Sequence, residues 1–143
     1  MKVFPIYFYV VLFSMSMVAC NSKSPDKVDV SSSINAVHVP VTLIDNEPYI
    51  ANKETNEGVK KLMGIVEDGL ESESPNMEQI GTDLENTIKQ IYASCTMSGR
   101  AFEELDSYLR EANKQVQDVK NTPNKIVLIG LQTYLSQYPK YFK

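Results

Sequence analysis

A chain of 143 residues has room for one compact domain, and its composition, 43% hydrophobic and 22% charged, is that of a globular protein. With 14 Lys and Arg against 18 Asp and Glu, a formal charge of −4 and no basic cluster, it offers no electrostatic footprint for a phosphate backbone, which argues against nucleic acid as a partner. A single histidine and two cysteines, Cys20 and Cys95, restrict the nucleophilic and metal chemistry within reach.

Lys2 is followed by an uncharged stretch from Val3 to Val18, VFPIYFYVVLFSMSMV, broken only by Pro5, Ser14 and Ser16. It is shorter than the roughly 20 residues a spanning helix needs and reads as the n-region and h-region of a secretory signal. Met17, Val18, Ala19 and Cys20 then resemble the lipobox of bacterial lipoprotein signals, with Met17 where leucine is commoner. The resemblance implies that the Cys20 thiol takes a diacylglyceryl group before a peptidase cuts on its amino side. The small residues beside it leave that bond accessible. Acyl chains on Cys20, at about 0.8 kcal/mol per buried CH₂, would hold the protein on its membrane. The same seam also admits an uncleaved membrane anchor, or conventional cleavage near Ala19 that leaves Cys20 an ordinary cysteine.

Residues Asn21 to Asn35, NSKSPDKVDVSSSIN, are too polar to build a core and read as a flexible tether. Asn21 stands where enterobacterial lipoproteins retained at the inner membrane carry Asp, so the resemblance favours the outer membrane. The expected plan is a signal peptide over 1–19, a lipidated Cys20 with its tether over 20–36, and a helical domain over 37–143.

The domain opens on VHVPVTLIDNEPYIA, residues 37–51, whose β-branched residues and Asp45-Asn46-Glu47-Pro48 turn predict a short extended segment or hairpin, confined to an edge by Pro40 and Pro48. Val59, Leu62, Met63, Val66 and Leu70 repeat at helical spacing behind Asn52 or Thr55 as cap. Ser74-Pro75 predicts the start of a second helix, with Met77, Ile80, Leu84, Ile88, Ile91 and Cys95 on one stripe. After Ser98-Gly99 a third helix carries Phe102, Leu105, Leu109, Ala112, Val116 and Val119. Thr122-Pro123 repeats the cap signal before a fourth, more uniformly apolar helix over Ile126 to Tyr138, carrying Val127, Leu128, Leu131, Leu135 and Tyr138. The expected fold is therefore mainly α, a small antiparallel four-helix bundle with a short N-terminal extended segment.

Catalytic chemistry finds little support in the sequence. A nucleophilic triad needs a base, and His38, the one histidine, lies in the segment just behind the tether, where it reads as a partly exposed strand residue. The pairs Glu67-Asp68 and Glu103-Glu104 are explained by solvated helix faces. No Gly-rich phosphate loop, CxxC or HExxH pattern occurs. The soft donors Cys95 and Met97 lie close in sequence and suit an ion such as Cu(I), with Met77, Met63 or His38 as further ligands. Against that, a cysteine on an apolar stripe packs as a small hydrophobe.

The segment CTMSGRAFEELDSYL, Cys95 to Leu109, resembles a group of small envelope proteins and lipoproteins with the pattern Cys-Thr-Met-x-Gly-x-Ala-His-x-x-Leu-His-x-aromatic-Leu. Cys95, Thr96, Met97, Gly99, Ala101, Leu105, Tyr108 and Leu109 match it. Upstream, YIANKETNEGVKKL, Tyr49 to Leu62, resembles the same group's entry into its first helix, and the likeness spans residues 43–143. Where that group has histidines at i and i+4, a pair able to bind metal, this chain has Phe102 and Asp106, and Phe102 reads as an extension of the apolar stripe.

These features together lead to the expectation of a non-enzymatic, lipid-anchored protein of the bacterial envelope, with the covalent lipid as its sole prosthetic group and an envelope protein as partner. The alternative is a periplasmic module that binds a soft metal or a small apolar ligand.

Overall fold

The computed structural model describes residues 37–143. The expected signal peptide, Cys20 and the tether over 20–36 lie outside the described residues.

Four helices account for most of the domain: α1 Lys53–Glu71, α2 Met77–Ser94, α3 Gly99–Asn121 and α4 Lys125–Leu135, followed by a single 3₁₀ turn at Tyr138–Lys140. Among the described residues there is no strand, only two isolated bridges. Each helix exists because its apolar residues recur every three or four positions, which gives one face that water disfavours. Those faces close around a common core: α1 packs against α2 and α4, and α3 packs against the same two. Leu62 and Val66 of α1, Leu84 and Ile91 of α2, Leu105 and Leu109 of α3, and Leu128 and Leu131 of α4 are essentially inaccessible to water.

The helix boundaries differ from the expected ones in an instructive way. Neither Ser74 nor Thr122 is the N-cap of the helix that follows; Thr122 instead closes α3, its N–H donating to Asp118 O at 2.8 Å. Asn76 caps α2, its side chain accepting from the Gln79 N–H at 3.1 Å, and Asn124 caps α4, accepting from the Ile126 N–H at 2.9 Å. In both places a proline stands directly before the asparagine, keeping the chain extended until the Asn amide oxygen accepts from an N–H of the first turn ahead of it. Cys95 falls just past the end of α2, not on its stripe, and Tyr138 belongs to the 3₁₀ turn, not to α4. Phe102 is exposed, so the buried face of α3 begins instead at Glu104 and Leu105.

The opening segment is extended, and it holds a tight turn in place of a true hairpin. Asp45 and Asn46 have φ of 52° and 61°, and the Glu47 N–H donates to the Ile44 carbonyl at 3.0 Å. Two consecutive positive φ values define a type I′ turn, which Asp and Asn tolerate better than most side chains. Beyond the turn the chain bridges in parallel with the C-terminal segment: Tyr49 N–H donates to Tyr141 O, Lys143 N–H to Tyr49 O, and Ala51 N–H to Lys143 O, all within 2.9 Å.

Lys125 on α4 donates to the Leu70 and Ser72 carbonyls, at 3.0 and 2.5 Å, placing a cation at the C-terminal end of α1 where the helix dipole favours one. Lys120 of α3 reaches Glu85 of α2 at 3.0 Å. With Lys89 it holds that carboxyl below the usual range.

Two glycines of α1 give a direct test of this packing. A Cβ on Gly58 would overlap the Ile91 side chain of α2, whereas one on Gly64 would meet nothing within 4 Å. Gly64→Ala is expected to stabilise the domain by about 0.5–1 kcal/mol through helix propensity. Gly58→Ala should destabilise it by about 1–3 kcal/mol through overpacking. Urea unfolding followed by circular dichroism measures both, and the opposite order would be incompatible with α1 lying against α2 at Gly58.

Candidate functional site

Several chemically distinctive groups collect at one end of the bundle, where the start of α1, the link between α2 and α3, and the C-terminal segment meet. Asn52 is the tie. Its amide N–H₂ donates to Glu54 at 2.8 Å and to the Ser94 carbonyl at 3.1 Å, while its oxygen accepts from Thr55 Oγ1 at 2.7 Å and from the Thr96 N–H at 3.3 Å. The two stretches singled out in the sequence, Tyr49–Leu62 and Cys95–Leu109, are therefore in direct contact. The start of the link between α2 and α3 is pinned on either side of Cys95, at Ser94 and Thr96, by the residue that precedes α1.

Cys95 and Met97 are half-buried and pack against the core. Met77 lies at the opposite end of α2, about 27 Å along the axis at 1.5 Å per residue, too far to share an ion with Cys95. Met63 lies within α1, and His38 is exposed. Among the described residues no group of three or more His, Cys, Asp and Glu side chains converges as a metal site. At the two positions where the resembled group carries histidines, Phe102 is exposed and Asp106 is engaged otherwise. Its carboxylate accepts from the Tyr92 hydroxyl at 3.0 Å and pairs with Arg110 at 3.1 Å. Burial, reinforced by Asp106, pushes the Tyr92 hydroxyl well above the ordinary tyrosine range.

Of the acidic pairs, Glu67, Asp68 and Glu103 are exposed as expected, but Glu104 is buried. Its carboxylate accepts the Thr42 N–H at 2.8 Å and is paired with Arg100 one turn earlier on α3. Glu104 thus fastens the extended segment to α3. The sequence carried a signal for this: position 104 lies three after Ala101 and four before Tyr108, inside the arc that the stripe buries.

Beneath this junction sits an aromatic cluster. Tyr108 stacks on Tyr134 with ring centroids 4.9 Å apart and meets Tyr138 and Phe142 edge-on at 5.5 and 5.8 Å. Its hydroxyl donates to the Leu135 carbonyl at 3.2 Å, and the Tyr134 hydroxyl donates to the Tyr108 carbonyl at 2.9 Å. Tyr138 and Phe142 stack in turn at 5.0 Å. Every buried side-chain nitrogen and oxygen among the described residues has a partner, so the cluster is apolar in effect despite its hydroxyls.

The outer side of the cluster forms the wall of a groove of about 520 Å³. Val59 and Met63, one turn apart on α1, form one side, and Leu135, Tyr138, Pro139 and Phe142 form the other. Asn56 lies at one end, accepting from the Tyr138 hydroxyl at 2.9 Å, and Lys60, Ser136 and Lys143 complete the lining. Of the residues that build this groove, only Met63 was singled out for a site in the sequence, as a further ligand for a soft metal. The one available signal was the aromatic density of YPKYF at 138–142, whose partner on α1 is set by tertiary packing alone. No protein-family model matches this chain, and neither does any curated protein or solved structure.

Proposed function

We propose that this chain is a lipid-anchored protein of the bacterial cell envelope, carried on the outer membrane, whose helical domain works by contact with another envelope protein and not by catalysis. The observation that carries the proposal is the seam Met17-Val18-Ala19-Cys20, an apolar run ending at a cysteine and followed by a polar stretch before the domain begins. Attachment through acyl chains requires no spanning helix, and among the described residues no helix is long and apolar enough to cross a membrane. The polar groups where the helices meet favour a non-catalytic role because their hydrogen-bonding capacity is used in holding the fold. Asn52 ties two segments, Glu104 fastens the extended segment, and Asp106 is shared between Tyr92 and Arg110.

Metabolic labelling with an alkyne fatty acid tests the anchor. The wild-type chain is expected to take up the label and to remain with membranes after salt extraction, and Cys20→Ala to lose both. A Cys20→Ala chain that stays membrane-bound after high salt would overturn the proposal.

A further inference from the structure

We infer that the groove between α1 and the C-terminal segment is a binding site for a single-chain anionic amphiphile, specifically a long-chain fatty acid. Its volume of about 520 Å³ lies within the range of small-molecule sites. Val59, Met63, Leu135, Tyr138, Pro139 and Phe142 give it an apolar lining. The polar atoms at its base are already matched, since the Tyr138 hydroxyl donates to Asn56. The body of an occupant therefore needs no hydrogen-bonding groups and gains from having none. Met63, flexible and polarizable, lets the wall adjust to a chain.

The charge at the groove selects the head. On a chain of formal charge −4, two ammonium groups belong to the lining. Lys143 is shared with Glu47 at 3.2 Å in an exposed pair. Lys60 has neither a hydrogen-bond nor an ion-pair partner among the described residues. Lys60 is exposed and solvated, so a neutral apolar occupant would gain nothing from it and a cationic one would be repelled, whereas a carboxylate on an alkyl chain is attracted to it while the chain fills the groove.

Isothermal titration calorimetry of the full chain carrying Cys20→Ser, against octanoate, decanoate and dodecanoate below their micellar concentrations, tests the inference. Affinity is expected to rise with chain length, by up to about fourfold per methylene that reaches the groove. Dodecyltrimethylammonium, with the same chain and the opposite head, should bind at least about tenfold more weakly than dodecanoate. Met63→Trp, which fills the groove, should abolish dodecanoate binding. Lys60→Glu, an exposed change that leaves the helical spectrum intact, should weaken it about fivefold, and less so at high salt. Absence of dodecanoate binding would overturn the inference. So would binding unchanged by Lys60→Glu, equal binding of the cationic surfactant, or a dimer that Met63→Trp disperses, which would assign the groove to a second copy of this chain.

Discussion

Replacement of Tyr108 by alanine is expected to lower the unfolding free energy by about 3–5 kcal/mol, the range seen when a large aromatic is removed from a packed core. Tyr108 is wholly inaccessible to water and touches three other rings, so its removal opens a cavity that no neighbour is free to fill. It also removes the hydroxyl that donates to Leu135 O, leaving a buried carbonyl at the end of α4 without that partner. Tyr108→Phe keeps the rings packed and loses that hydrogen bond alone, so it should cost about 1 kcal/mol. Since native domains hold only about 5–15 kcal/mol in total, the alanine variant should sit close to unfolding at ambient temperature. Denaturant titration followed by circular dichroism separates the two. Equal losses would mean that the ring stack contributes little and that the hydroxyl is what matters.

Alkaline solution should have an effect of similar size. Burial pushes the hydroxyls of Tyr108, Tyr134 and Tyr138 far above the tyrosine value of 10.0. In the unfolded chain they would lose their protons near that value, while in the native state they keep them. Above pH 10 the native state therefore binds more protons than the unfolded state, and stability falls as pH rises. The stabilisation is complete below pH 10. Past it, each buried tyrosine removes about 1.4 kcal/mol per pH unit, so the three together remove about 4 kcal/mol by pH 11. Tyr92, half-buried, contributes less. Urea midpoints measured across this range should fall steeply above pH 10, and Tyr134→Phe should flatten the fall. A midpoint that does not move would mean that these hydroxyls are open to solvent.

The extent to which this architecture was legible in the sequence depended on the range of the interaction. The apolar stripes are set by the helical period within a few residues, and Leu62, Leu84, Leu109 and Leu131 lie in the core as the spacing implied. The caps were misplaced by two residues because Ser-Pro and Thr-Pro are ordinary start signals, and the asparagine behind each proline competes for the same role. Tyr108 and Tyr134 were missed as core residues since each lies beside a leucine that already satisfied the stripe. Their burial depends on each ring finding the other across the bundle. Glu104 was assigned to solvent because an acid is rarely buried unless paired, and its partner in the extended segment, the Thr42 N–H, is 62 positions away. The groove was least legible, for its two walls come from opposite ends of the domain.

That separation sets an order of assembly. Helices adjacent in sequence meet through links of a few residues and close small loops, and the packing of α1 on α4 spans more, as between Leu70 and Lys125, 55 positions apart, while the bridge at Tyr49 joins segments such as Glu47 and Lys143, 96 positions apart. Loop-closure entropy rises slowly with that distance, so of these contacts the bridge costs most to close and is a natural first one to open. A folding intermediate with all four helices in place would still lack one wall of the groove. The groove therefore exists only while residues 138–143 are docked against α1, and it is lost whenever that segment opens.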